Sequence, residues 1–329
     1  MEEILNKMKR LVFPLVVFLV AWITPTQAVA QRVYRLGALL GEDQFLPAVE
    51  GFKKKMAELG YIEGKNIFYQ VYNAESDQER LRQLAEKVIN DKPDLIVTSS
   101  TTATVPVAKL TRGTDLPVVF LSSGNPLEFV KSYASSGNNL TGISSATLDL
   151  TEKRVELLKE LAPRVKRVVA LNNPKGVNYR GNLALLQTAA KKNGITIREV
   201  KVSTPEELTQ ALGAITRHTA DAIMLQPDVM ISRNVDVVIQ RSIQEKIPVI
   251  PTLIQNVHKG GLATYGPHYS ALGQQGAMLV HKILKGAKPA SLPIEQPDKL
   301  ALVINLKTAK SIGLKVPKEI LLRADEVIE

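Results

Sequence analysis

The stretch that decides the fold is residues 33–71, VYRLGALLGEDQFLPAVEGFKKKMAELGYIEGKNIFYQV. Its apolar run at 33–40, bounded by Gly41, predicts a β-strand. A helix should follow and stop at Gly60, because four apolar residues fall on one helical face: Val49, Phe52, Met56 and Leu59. A second strand is predicted at 66–71. A strand, a helix and another strand in this order indicate parallel strands joined by a crossover helix.

The same alternation of strands and helices continues along the chain. Further strands are predicted at 95–98, 117–121, 140–144, 167–171, 195–202, 222–225, 248–250 and 262–265. Strands of a first series begin near 33, 66, 95 and 117, and those of a second near 167, 195, 222 and 248, at offsets of 134, 129, 127 and 131. A chain of 329 residues also exceeds what one hydrophobic core usually supports. The predicted fold class is therefore α/β, with two doubly wound parallel-sheet lobes and a cleft between them.

Three helix starts carry capping signals. Ser76 followed by Glu79 is typical of a capping box, and Asp149 followed by Glu152 is similar. Thr204 with Pro205 and Glu207 combines a capping box with proline in the first turn. We expect helices to begin at these three places.

The first 30 residues are typical of a secretory signal peptide. Lys7, Lys9 and Arg10 precede an apolar run at 11–23, and Ala28-Val29-Ala30 matches an A-x-A cleavage pattern. The run has 13 residues, fewer than the ~20 of a membrane-spanning helix, although an uncleaved anchor is the alternative. We expect a mature chain beginning at Gln31 in the periplasm, with translation starting at Met1 or Met8.

The composition excludes several classes of site. The chain has no cysteine, so disulfides, thiolate metal sites and a lipid-bearing cysteine are excluded. The net charge is +10, but the lysines are scattered, with short runs only at 53–55 and 191–192. We therefore expect no nucleic-acid partner, no stable membrane anchor and a monomeric protein.

Catalytic and cofactor motifs are missing from the sequence. It has neither a phosphate loop nor a dinucleotide fingerprint, and the G-x-S-x-G pattern is incomplete at 142–146. The histidines lack metal-ligand spacing: His218, His258, His268 and His281. We expect no enzyme activity, no cofactor, no metal and no catalytic residue.

Polar loops follow the third and fourth predicted strands. One loop contains Ser99, Ser100, Thr101 and Thr102, and the other contains Ser122, Ser123 and Asn125. Hydroxyls and free amides at a helix start suit a carboxylate, and ligands of open parallel sheets lie beyond the carboxyl ends of strands. Helix capping favours the same residue types. Two such loops on neighbouring strands favour a carboxylate-binding site.

The remaining candidates supply other parts of a ligand site. Asn173, Gln226 and Asp228 follow strands of the second lobe, and Glu42, Asp43 and Gln44 follow the first strand. Asp228, with Glu42 and Asp43, is placed to meet a cationic group, whereas solvated loop acids are the alternative, especially for Glu42. An aromatic part of a ligand could stack on one of three tyrosines, for which ordinary packing is the alternative: Tyr179, Tyr265 and Tyr269.

Essentially all of the mature chain resembles a known family, and the longest matching run lies in the C-terminal segment. The resemblance rests on GAKPASLPIEQP at 286–297, LVINLKTAK at 302–310, LRADEVI at 322–328, KRVELLKEL at 153–161 after Ser144-Ser145, GGL at 260–262 and YGP at 265–267. These segments resemble the ABC-transporter substrate-binding family whose better-known members take tryptophan or tyrosine. The relatives usually have Asp-Pro where this chain has Asn125-Pro126, so an acidic group is missing from that loop.

The resemblance implies a type I periplasmic-binding-protein fold with a three-segment hinge. Lobe 1 would comprise 32–143 plus about 270–298, and lobe 2 would comprise 144–265 plus about 300–329, with crossings near Ser144, 265–269 and Lys299. It also implies a receptor that delivers a small organic ligand, such as an aromatic amino acid or related carboxylate, to the permease of an ABC importer. The alternatives are a periplasmic enzyme on the same fold and a ligand-sensing subunit of a membrane receptor.

Overall fold

The sheet of the first lobe is wholly parallel, in the order β2-β1-β3-β4-β5. We describe it from a computed structural model of residues 32–176 and 179–329. The predicted signal peptide lies outside these residues. The strands are β1 (Tyr34–Leu40), β2 (Ile67–Asn73), β3 (Leu95–Ser99), β4 (Val118–Ser123) and β5 (Leu140–Ser144). The helices between them are α1 (Leu46–Glu58), α2 (Gln78–Asn90) and α3 (Thr101–Leu110).

The second lobe repeats this arrangement with four parallel strands in the order β7-β6-β8-β9. The strands are β6 (Arg167–Asn172), β7 (Thr196–Lys201), β8 (Ala222–Leu225) and β9 (Val249–Ile250). The helices are α4 (Thr151–Leu161), α5 (Tyr179–Lys192), α6 (Pro205–Gly213), α7 (Val229–Arg233), α8 (Val235–Glu245) and α9 (Ile254–His258). The predicted α/β fold with two parallel-sheet lobes is confirmed.

The apolar strands are explained by sheets that are covered on both faces. In β6, Val168 and Ala170 join one buried cluster, whereas Val169 and Leu171 join another. Helices α4 and α5 contribute to the first cluster, and α6 and α8 contribute to the second. Successive residues of a strand point to opposite faces, so every position must be apolar where helices cover both faces.

A third, small sheet follows the two lobes. It consists of β10 (Ala263–Gly266), β11 (Ala301–Asn305) and β12 (Glu326–Ile328), with β10 antiparallel to β11 and β11 parallel to β12. The helices of this region are α10 (Tyr269–Leu284), α11 (Leu306–Ser311) and α12 (Lys318–Leu321). Strand patterning predicted β10, but it predicted neither β11 nor β12.

Helix α10 returns the chain to the first lobe and packs against α1. The two backbones approach so closely that a Cβ on Gly273 would stand 1.8 Å from the carbonyl oxygen of Ala48. A Cβ on Gly51 would stand 2.0 Å from the carbonyl oxygen of Ser270. The chain then pairs Glu295 with Ile143 beside β5 before it enters β11. The residue boundaries of the lobes stay a prediction.

Two of the three expected helix caps differ from the prediction. Asp77, not Ser76, caps α2 by accepting a hydrogen bond from the amide of Arg80, because Ser76 has φ of +67° and lies outside the cap position. Helix α4 begins at Thr151 with no side-chain cap, so the expected cap at Asp149 is wrong. Thr204 does cap α6, at 3.2 Å from the amide of Glu207.

Candidate ligand-binding cleft

A cavity of 820 Å³ lies between the two lobes, beyond the carboxyl ends of their strands. Lobe 1 lines it with residues that follow β3 and β4, and lobe 2 lines it with residues that follow β6 and β8. Seven predicted site residues are brought together there: Gln44, Ser100, Thr101, Thr102, Ser122, Asn173 and Asp228. This volume matches the usual range of small-molecule sites.

The first turn of α3 forms one wall of the cavity. Ser100 caps this helix, and its hydroxyl accepts a hydrogen bond from the amide of Ala103 at 3.1 Å. Ser100 has φ of +92°, a left-handed conformation that L-residues adopt at a cost of roughly 1–3 kcal/mol. Strain of this kind persists where the surrounding structure fixes the backbone, which is common at ligand sites.

Thr101 joins the two polar loops of lobe 1. Its hydroxyl oxygen accepts hydrogen bonds from the amides of Gly124 at 3.0 Å and Asn125 at 3.3 Å, and it shares a third with the hydroxyl of Ser123 at 3.0 Å. Thr101 therefore fixes the loop after β4 against the start of α3. Hydrogen bonds from the Ser100 amide to the carbonyl oxygen of Ser122 and between the hydroxyls of Ser99 and Ser122, each 3.0 Å long, join the same two loops.

Thr102 is the available hydroxyl on this surface. It lines the cavity, and no described residue hydrogen-bonds to its side chain. The first amides of a helix also lack an intrahelical carbonyl. The start of α3 thus offers hydrogen-bond donors and the positive end of a helix dipole, an arrangement that suits an anion.

Asp228 belongs to the opposite wall. Its carboxylate caps the short helix α7 by accepting a hydrogen bond from the amide of Ile231 at 3.0 Å. Burial raises the pKa of Asp228, and hydrogen bonds from Ile231 and Asn173 partly oppose that rise. The prediction that Asp228 meets a cationic group stays a prediction.

Glu42 is buried, so the interpretation of this residue as a solvated loop acid is wrong. Its side chain has 3% exposure, and Gln44 donates a hydrogen bond to Oε2 at 3.4 Å. Burial raises the pKa of Glu42 from 4.5 to about 7, although Gln44 and the positive charge of Arg233 act in the opposite direction. Glu42 is therefore placed beside the cleft as a carboxyl group that titrates near neutral pH.

The other seven predicted site residues do not line the cavity: Asp43, Ser99, Ser123, Asn125, Tyr179, Gln226 and Tyr265. Ser99 and Ser123 are buried behind it and hydrogen-bond to the lining residues Ser122 and Thr101. Tyr179 donates instead to Glu199 at 2.5 Å. These seven assignments stay predictions, and the geometry gives Ser99 and Ser123 a supporting position.

An aromatic pair also lines the cavity. The rings of Phe45 and Tyr269 have centroids 5.0 Å apart and are tilted by 59°. Burial and the negative charge of Glu42 raise the pKa of Tyr269, so its hydroxyl remains neutral. Tyr269 was one of three tyrosines proposed for stacking, whereas no sequence pattern indicated Phe45.

Arg154 is a site-supporting residue that sequence reasoning missed. The guanidinium has 2% exposure, and burial lowers its pKa to about 10. It donates to the carbonyl oxygens of Thr147 at 2.7 Å, Thr252 at 3.2 Å and Tyr265 at 3.1 Å. Thr147 and Thr252 line the cavity, so Arg154 fixes the segment after β5 and the loop after β9.

Arg233 is a second residue that the sequence did not indicate. It lines the cavity from lobe 2, and its guanidinium donates a hydrogen bond to the carbonyl oxygen of Glu75 in lobe 1 at 3.1 Å. This contact crosses the cleft. No local pattern reveals it, because the two residues are 158 positions apart.

Two other kinds of feature are absent from residues 32–176 and 179–329. No helix in that part of the chain is long and apolar enough to cross a membrane. The same residues contain no group of three or more histidine or acidic side chains arranged to hold a metal ion.

Two parallel-sheet lobes with a cavity between them define the class of type I periplasmic binding proteins. Within that class, the chain belongs to the ABC transporter substrate binding protein family, which it matches over residues 36–328. It is 28% identical to a tyrosine-binding protein of Clostridioides difficile (strain R20291) over 292 residues, which cover 88% of this chain and 83% of that protein.

Two solved structures are similar at nearly full coverage. The ABC domain from Streptococcus pneumoniae in complex with L-Trp has 27% identity and a TM-score of 0.83, covering 90% of this chain and 100% of that chain. The ligand-free, open structure of an adhesive substrate-binding protein from Clostridium difficile has 26% identity and a TM-score of 0.70, covering 90% and 99%.

Proposed function

We propose that this protein is an exported receptor that holds a small carboxylate between its lobes and delivers it to the permease of an ABC importer. The ligand we propose is an aromatic amino acid or a related aromatic carboxylate. The observation that carries this proposal is the start of α3, where donors without a described partner face a cavity of 820 Å³. The proposal assigns binding to the chain and no catalytic step.

The carboxylate would lie against the first turn of α3 and the loop after β4. Thr102 and the free amides of that turn are donors, and neither loop contains an arginine or a lysine. Negative charge would be stabilised by the helix dipole, typically by about 0.3–1 kcal/mol, together with the hydrogen bonds. Neutral donors of this kind bind an anion without requiring a buried ion pair.

The rest of the ligand would meet the aromatic pair and Asp228. Phe45 and Tyr269 offer ring faces and edges to an aromatic group, a contact worth about 0.5–1.5 kcal/mol beyond the area that it buries. Asp228 would then face an ammonium group from lobe 2. Tyrosine and L-Trp, the ligands named for two relatives, have all three of these chemical parts.

Closure of the lobes would accompany binding. The TM-score is 0.83 with the L-Trp complex and 0.70 with the ligand-free, open structure, which supports a closed arrangement here. The hydrogen bond from Arg233 to Glu75 crosses the cleft and would stabilise that arrangement. A ligand shifts the equilibrium between the open and closed states only if it binds the closed state more tightly than the open state.

Calorimetric titration of residues 31–329 with L-tyrosine, L-tryptophan and benzoate tests the proposal. We expect at least one of these carboxylates to bind. The variant Thr102→Val should bind that ligand at least about tenfold more weakly, because a hydrogen bond to a charged group contributes about 1.5–3 kcal/mol. The matched control is Thr188→Val, on the exposed face of α5 and away from the cavity. Absence of binding by all three ligands would contradict the proposal.

A further inference from the structure

Two side chains that line the cavity carry a buried polar atom with no partner. Eight buried side-chain oxygen or nitrogen atoms in 32–176 and 179–329 lack a hydrogen bond, and among cavity-lining residues these are Ser76 Oγ and Asn182 Oδ1. A buried polar atom left unsatisfied costs about 1–3 kcal/mol. Such atoms therefore require an explanation, and a ligand in the cavity provides one for both.

Ser76 is free to contact a ligand because the local structure gives it no other role. Asp77 caps α2, so the Ser76 hydroxyl is not used for capping. The backbone is fixed by a hydrogen bond from the Ser76 amide to the carbonyl oxygen of Gly41 at 2.8 Å. The left-handed φ of +67° holds Ser76 in a position that a capping serine would not occupy.

Asn182 faces the cavity from the opposite lobe. It lies in the first turn of α5 with 3% exposure. An asparagine is uncommon at a buried helical position, since it neither favours the helix nor satisfies its amide there. Neither packing nor helix formation accounts for this residue type at this place.

The two walls of the cavity differ in their hydrogen-bonding character. Lobe 1 presents hydroxyls and amides at the start of α3, whereas lobe 2 presents the carboxylate of Asp228 and the amide oxygen of Asn182. The basic side chains of lobe 2 that line the cavity do not change this contrast. Arg233 donates across the cleft to Glu75, and Lys175 is exposed. A ligand with an acceptor at one end and an N–H donor at the other matches these walls.

We propose that Ser76 and Asn182 are ligand contacts from opposite lobes, and that the Asn182 amide oxygen accepts a hydrogen bond from an amino group of the ligand. The site then selects an amino acid over the same carboxylate without the amine. The Ser76 hydroxyl donates to an acceptor on the ligand. This inference rests on the proposed function and adds the class of ligand.

The test compares L-tyrosine with 3-(4-hydroxyphenyl)propionate, which lacks only the amine, by calorimetric titration. Asn182→Ala should weaken binding of L-tyrosine at least about tenfold, the effect of losing one hydrogen bond to a charged group, and change binding of the propionate by less than about twofold. Asn182→Asp retains the accepting oxygen and should bind L-tyrosine at least as well as the wild type. The matched control is Gln187→Ala, exposed on the same helix.

Ser76→Ala should weaken both ligands about three- to tenfold, since its contact does not depend on the amine. Thermal melting of each variant, followed by circular dichroism, distinguishes the loss of a ligand contact from the loss of the folded structure. If the alanine variant at position 182 unfolds, Asn182→Asp still provides the test. The inference is overturned if either residue can become alanine without effect on L-tyrosine. The amine contact is overturned if Asn182→Ala weakens binding of both ligands equally. It is also overturned if Asn182→Asp no longer binds L-tyrosine. The proposed function itself fails only if the wild type binds none of L-tyrosine, L-tryptophan and benzoate.

Discussion

Replacing Glu42 with glutamine should make the stability of the protein less dependent on pH. Glu42 is 3% exposed, and its Oε1 has no hydrogen bond from any described residue. Burial dominates the rise of its pKa to about 7, over the opposing effects of Gln44 and Arg233 and a smaller rise from Asp228. Glutamine has nearly the same shape and imitates the protonated acid, so the substitution removes only the titration.

The sign and the size follow from the difference between the folded and unfolded states. The folded pKa of about 7 lies above the ordinary value of 4.5, so the folded state binds the proton more tightly. The free energy of unfolding therefore falls as pH rises between these two values. One pKa unit is worth about 1.4 kcal/mol, so the full penalty is about 3 kcal/mol. Between about pH 5 and about pH 8 we expect the free energy of unfolding to fall by about 2–3 kcal/mol because of Glu42.

Urea unfolding of the ligand-free protein, followed by circular dichroism at a series of pH values, measures this effect. Glu42→Gln should resemble the wild type near pH 5 and exceed it by about 2–3 kcal/mol near pH 8. Glu50→Gln makes the same chemical change at an exposed position of α1 and should follow the wild type at every pH. A difference between Glu42→Gln and the wild type that is the same at both ends of the range would refute the reasoning.

Three further substitutions test the packing and the loop geometry. Gly273→Ala places a Cβ 1.8 Å from the carbonyl oxygen of Ala48, so we expect the free energy of unfolding, measured in urea, to fall by about 3 kcal/mol. A loss under about 0.5 kcal/mol would show that α10 can shift freely. Arg154→Met removes the guanidinium that donates to the buried carbonyl oxygens of Thr147 and Thr252, so we expect a loss of about 2–4 kcal/mol. The loss should appear as a lower melting temperature in calorimetry, and an unchanged melting temperature would contradict this. Thr101→Val removes the acceptor for the amides of Gly124 and Asn125 and should weaken carboxylate binding about tenfold, whereas equal affinity would separate that loop from the site.

The sequence predicted the strands of both lobes because their burial leaves a direct pattern. Strands covered on both faces are continuous apolar runs, and β1 to β10 lie within two residues of their predicted ends. The loops after β3 and β4 could be predicted as cavity walls for a similar reason, since parallel sheets place ligands at the carboxyl ends of strands. Strands β11 and β12 were not predicted as strands. Strand β12 has only three residues, and both strands enter the third sheet through pairing with distant residues.

The remaining site residues depend on how the lobes meet. Glu42 follows β1 and has the local sequence of a surface loop, yet it is buried. The contact between Arg233 and Glu75 joins residues 158 positions apart. Asn182 has a buried amide oxygen that no periodic pattern could reveal. These features arise from tertiary packing, so local patterns in a single sequence do not encode them.

Small-angle scattering of residues 31–329 with and without the carboxylate that binds tests the central claim, which is closure of two lobes on a small molecule. We predict that the radius of gyration falls on saturation and that the loaded curve matches the proposed closed arrangement. The variant Arg233→Ala, which lacks the hydrogen bond across the cleft to Glu75, should need a higher concentration of ligand to reach the same curve. A radius of gyration that is unchanged at saturating ligand, when calorimetry confirms binding, would contradict the claim.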